Sequence, residues 1–100
     1  MAADFSVEIV THGRGGVIRY REGWHRCSLD WEFGGGNALA IIYAPPPDRW
    51  ATEVPWAADR RDEVLDRVGR EVIRQQCSRC SHVIHAGGVD ILEPAGKWSP

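Results

Sequence analysis

The residues best suited to chemistry are gathered in Cys77-Ser-Arg-Cys80-Ser-His82-Val-Ile-His85, where two thiols and two imidazoles fall within nine residues. All four are soft or borderline metal ligands, so the set Cys77, Cys80, His82 and His85 could hold a zinc ion. The two thiols could also form a redox pair. They follow a helical stretch, however, and the negative end of a helix disfavours the thiolate that redox chemistry needs. A divalent cation brings its own positive charge and tolerates that field, so zinc is the chemistry to expect if these residues form a site. The spacing works against it. A single residue separates Cys80 from His82, unlike a zinc finger, and an extended Val83-Ile84 would set the two histidines on opposite sides. The competing reading is a polar turn with incidental thiols.

Three other groups invite a functional reading. Trp50 and Trp56, with Arg49 beside the first, flank a proline-stiffened loop. Tryptophan and arginine are the residue types that anchor protein interfaces, and tryptophan also caps the open end of a core. Arg14, Arg19, Tyr20, Arg21, Trp24, His25 and Arg26 mix cations with aromatic rings along one hairpin, the pattern of a single-strand nucleic-acid surface. Asp30 and Glu32, two apart on one strand face, could act as an acid/base pair, but exposed strand carboxylates are common. His12-Gly-Arg-Gly-Gly16 lies between two strands and precedes no helix, so it reads as a turn and not as a phosphate cradle.

The elements that must position these residues follow from hydrophobic periodicity. Phe5, Val7 and Ile9 alternate with polar neighbours, Val17 to Arg21 forms a second strand, and Cys27, Leu29, Trp31 and Phe33 alternate with Ser28, Asp30 and Glu32. Glu22-Gly23 read as a two-residue hairpin loop sets Tyr20 opposite His25 and Ile18 opposite Cys27, with a like-charge pair between Arg19 and Arg26. Gly34-Gly35-Gly36 read as an odd-length loop places Trp31 opposite Leu39, Leu29 opposite Ile41 and Cys27 opposite Tyr43, all on the buried face. Ala44-Pro-Pro-Pro-Asp48 ends the sheet. From Arg60 to about Gln76, Val64, Leu65, Val68, Val72 and Ile73 make an apolar helical stripe. Asp59 is its expected N-cap, and Glu63–Arg67 and Asp66–Arg70 its expected surface pairs. Gly69, inside the stripe, implies close approach to a bulky partner, with Trp31 the candidate. Residues 88–93 supply a short fifth strand, and 94–100 a loose tail.

These elements make one α+β domain over residues 1–100: a four- to five-stranded, mainly antiparallel β-meander with one helix on its apolar face, in the order ββββα(β). A net charge of −2 and a pI near 6.0 supply no field toward nucleic acid or anionic lipid, so nucleic acid is not the expected partner. No apolar run reaches the roughly 20 residues of a membrane span, and Met1-Ala-Ala-Asp-Phe-Ser lacks the basic and apolar parts of a secretory signal. A cytoplasmic location is expected. Three cysteines leave one unpaired, so no disulfide framework is expected. Eleven arginines against the single Lys97 point to a GC-rich, bacterial genome. The function expected is therefore a small non-catalytic domain, without cofactor, that binds an unidentified protein partner. Regulators, inhibitors and immunity-type binding proteins often share this size and build. The partner contact is expected at Trp50, Trp56 and Arg49 or at a sheet edge, and zinc binding by the Cys/His segment is the alternative.

Overall fold

The computed structural model describes residues 4–94. It is an α+β fold with six strands, β1 (Phe5–His12), β2 (Gly15–Glu22), β3 (His25–Phe33), β4 (Ala38–Tyr43), β5 (Ser81–His85) and β6 (Gly88–Leu92). Two helices, α1 (Pro47–Glu53) and α2 (Arg61–Gln76), and a 3-10 turn at Pro55–Ala57 join the two groups of strands. The strands form one antiparallel sheet in the order β1-β2-β3-β4-β6-β5. Helix α2 crosses the apolar face, burying Val64, Leu65, Val68 and Val72 against Ile18, Tyr20, Leu29, Ile42, Val89 and Ile91. The opposite face of β1–β3 carries Glu8, Arg19, Arg21, Arg26, Ser28, Asp30 and Glu32, all exposed. Among the described residues no helix is long and apolar enough to cross a membrane. The tail expected over residues 94–100 lies, beyond Pro94, outside the described residues.

The four-strand meander and the long helix follow the expected order, and the surface pairs Glu63–Arg67 and Asp66–Arg70 are both formed at 2.8 Å. The finer geometry differs in instructive ways. The loop between β2 and β3 is Gly23-Trp24, because Gly23 takes φ +59° at the first loop position and no other residue type adopts a positive φ here. That is the glycine-first pattern of a tight hairpin. Tyr20 therefore faces Cys27 and Ile18 faces Leu29, two residues from the expected register but with the same faces inward. The like-charge pair becomes Arg21 opposite Arg26.

The β3–β4 hairpin departs further. Trp31 lies opposite Ile42, and Phe33 opposite Ala40, so Ala40 and Ile42 are buried while Tyr43 is exposed. The expected pairing of Trp31 with Leu39 is wrong by an odd number of residues. Its cause is the loop length: Gly34 N–H bonds to the Leu39 carbonyl and Ala38 N–H to the Gly35 carbonyl, so the reversal takes the four residues 35–38, an even number, and the parity inverts.

The proline run that ends the sheet also starts α1. Pro47 sits in its first turn, where a missing N–H costs nothing. Helix α2 begins one residue later than expected, with Arg60 and not Asp59 at the N-cap and no side-chain cap. Gly69 does mark a close approach, but its neighbour is His82 and not Trp31. A Cβ there would lie 2.6 Å from His82 Cδ2 and 2.8 Å from Cγ. His82 is on β5, where the sequence pattern suggests only a turn. Arg61, buried at the start of α2, donates to the carbonyls of Pro45, His85 and Ala86 at 2.9 to 3.0 Å. It thereby ties the end of β4 to the β5–β6 turn.

Candidate functional site

The Cys/His segment is spread over three different environments. Cys77 closes the C-terminus of α2 through its N–H to the Ile73 carbonyl, and it is joined to Cys80 in a disulfide. That bond was not expected of a three-cysteine chain. A three-residue separation lets one turn, closed by Cys80 N–H to the Cys77 carbonyl at 3.0 Å, bring the two sulfurs together. His82 faces α2 and shares a 2.9 Å hydrogen bond with Asp66. His85 lies on the other face of β5. It accepts from the Gly87 N–H on Nδ1, so its Nε2–H donates to Asp90 at 3.0 Å. A zinc ion on all four would require the disulfide reduced and His85 brought across the strand. Among the described residues no group of three or more His, Cys, Asp or Glu is arranged to hold a metal ion. The third cysteine, Cys27, is half-buried, and desolvation pushes its thiol up to about 11, which leaves little thiolate at neutral pH.

The proline loop is divided just as sharply. Trp50 is 1% exposed and its indole N–H donates to the Ala57 carbonyl at 2.7 Å, so its role is in the core and it has no surface to offer. Arg49 is exposed and pairs with Glu53 one turn along α1. Trp56 alone of the three comes to a shared surface. It stacks between Tyr20, with centroids 6.2 Å apart, and His25, at 4.9 Å and nearly parallel. Phe5 continues the stack beyond Tyr20, and the Arg67 guanidinium lies over the Phe5 ring. This aromatic row stands at one end of the sheet, behind the β2–β3 turn.

The turn is fixed from behind by Glu22, the last residue of β2. Because it follows Ile18 and Tyr20 at even spacing, its side chain points to the helix side, where three donors meet it. Arg60 approaches at 2.8 and 3.0 Å, Arg67 at 3.1 Å, and the Tyr20 hydroxyl at 2.7 Å. The Arg60 hydrogen bond is the main reason its carboxyl is held down at about 2, with burial opposing and the Tyr20 hydroxyl assisting. Burial in turn raises the Tyr20 hydroxyl above its ordinary value. A carboxylate so engaged stays ionised at neutral pH, and the network ties the end of β2 to α2 as a brace.

In front of the brace stands Trp24, 98% exposed at the second position of the two-residue turn. Arg21 and Arg26 lie directly opposite one another on the uncovered face beside it. Together with Asp4, Phe5, Ser6 and Gly23 these three residues border an open depression. A rigid hairpin thus presents one large ring and two cations, backed by a stacked aromatic row. An exposed ring beside two cations gives it the means to bind. The sequence reads these residues as a basic and aromatic hairpin and puts the partner contact on the proline loop or at a sheet edge. The signal available was Gly23-Trp24 itself, since a tryptophan in the second place of a glycine-first turn has no core to enter. Asp30 and Glu32 lie further along the same uncovered face of β3. No protein family, curated protein or solved structure compared with the chain matches it.

Proposed function

We propose that this chain is a non-catalytic protein-interaction domain, of the regulator, inhibitor or immunity type, that engages its partner through the tip of the β2–β3 hairpin. The observation that carries the reading is the 98% exposure of Trp24 on a turn braced from behind by Glu22. A tryptophan buries about 150–250 Å² at an interface. At about 25 cal/mol per Å² that is a gross gain of about 4–6 kcal/mol, little of it offset by ordering because the turn is short and tied. Trp56 and His25 extend the aromatic surface behind it. Of the residues first expected to make the contact, Trp56 remains in this reading, while Trp50 and Arg49 serve the core and α1.

The test is a partner identified from the native cell and then titrated by calorimetry. Trp24→Ala should weaken binding by about thirtyfold or more, the usual loss at an interface hot spot. It should leave the folding stability within about 0.5 kcal/mol, as for other exposed positions. Equal affinity in the variant and the wild type would sink the proposal.

A further inference from the structure

Resting on that reading, we infer that the partner presents an acidic segment, whose carboxylates bridge Arg21 and Arg26 while an apolar side chain flanked by them packs on Trp24. The two arginines face each other across β2 and β3, both exposed, and among the described residues neither has an ion-pair partner. Like charges directly opposite on adjacent strands are destabilising. The usual remedy is a neighbouring carboxylate, and among the described residues none pairs with either arginine. Glu22, adjacent in sequence, points to the other face and is consumed by Arg60, Arg67 and Tyr20. Glu8 pairs with Arg19. Asp4 borders the depression without pairing with either arginine. Among the described residues no carboxylate neutralises this pair, which leaves it open to an anion from a partner, and carboxylates match the guanidinium fork in geometry as well as in charge.

A nucleic-acid strand fits less well. Two free arginines supply too few phosphate contacts, and Glu8, Asp30 and Glu32 occupy the path a strand would take along the same face. The protein as a whole also carries a net charge of −2. A short acidic peptide confined to the tip stays clear of Asp30 and Glu32, with Asp4 and Glu8 at its border.

The experiment uses fluorescence anisotropy on the full chain with three labelled probes: a glutamate-rich peptide with one central phenylalanine, the same peptide with glutamine for glutamate, and oligothymidylate. The acidic peptide should bind at least tenfold more tightly than the glutamine peptide. Its affinity should fall severalfold between about 50 mM and about 300 mM salt. Arg26→Glu should weaken it at least tenfold while the melting temperature stays equal or rises, because the like-charge pair becomes an opposite one. No saturable binding of the acidic peptide, equal binding of the glutamine peptide, unchanged affinity in Arg26→Glu, or tighter binding of oligothymidylate would each overturn the inference. The cellular partner separates the two levels of argument. If Arg26→Glu keeps that partner and Trp24→Ala loses it, the acidic segment is wrong and the interaction surface stands; if both variants keep it, the surface falls as well.

Discussion

Replacing Glu22 by glutamine isolates what the brace behind the hairpin contributes. The side chain is 22% exposed, so solvent screens it only in part. A carboxyl whose pKa falls from 4.5 to about 2 on folding stabilises the folded state by up to about 3 kcal/mol at neutral pH. Glutamine still offers one oxygen to the Arg60 and Arg67 donors, and both arginines retain Glu63. A loss of about 2 kcal/mol at pH 7 is therefore expected, or a melting temperature lower by roughly 10 °C for a domain of this size. The pH dependence carries the sharper signature. Because the folded pKa lies below the unfolded one, the stabilisation is complete above about pH 4.5 and is lost as the pH falls toward 2. Urea denaturation of wild type and Glu22→Gln at several pH values should show two stabilities well separated at pH 7 that converge across that window. A difference below about 0.5 kcal/mol at pH 7, or one that stays constant down to pH 2.5, would refute the assignment of the low pKa to this network.

Two further substitutions probe the core. Gly69→Ala should destabilise by about 1–3 kcal/mol, because its Cβ would press on the ring of His82, whose hydrogen bond to Asp66 limits its retreat. In a His82→Ala background the same change should become neutral or stabilising by up to about 1 kcal/mol through helix propensity, and a thermal-melt cycle that shows no such reversal would disprove the contact. Trp50→Phe should cost about 1–3 kcal/mol in urea unfolding, since the smaller ring leaves a gap in the core and removes the indole hydrogen bond to the Ala57 carbonyl, which keeps the Arg60 N–H. A neutral result there would argue that Trp50 is not the core residue described.

How much of this was legible in the sequence depends on which physical signal was in play. The four-strand meander and α2 could be read because alternation and a five-residue apolar stripe survive any local adjustment. Register could not. The β2–β3 loop turned on which of Glu22 or Trp24 joined Gly23, and only the backbone preference of a glycine-first turn decides that. The β3–β4 loop takes four residues, 35–38, where the three glycines suggest an odd count, and so inverts Leu39, Ala40, Ile41 and Ile42 together. Strand β5 was hidden for a different reason: His82 and His85 are polar residues that look like ligands, whereas each is satisfied by one carboxylate, Asp66 and Asp90. The tryptophans show the limit most plainly. Trp50 and Trp24 each follow an arginine or glycine in a turn-rich stretch, yet one is 1% and the other 98% exposed. The packing of α1 beneath Ala57 buries the first, and the glycine-first turn holds the second out.

The strand order has a consequence for how the chain must assemble. Strand β4 lies inside the finished sheet, but its second neighbour is β6, near the end of the described chain and beyond the whole of α2. A chain that has emerged only as far as α2 would hold the meander together and still present a bare edge along Ala38–Tyr43, with Ile41 and Ile42 beside it. Such an edge pairs readily with another copy. Closing it waits on the last hairpin, and Arg61, which binds the carbonyls at that hairpin's turn, is the residue that secures the closure once it arrives.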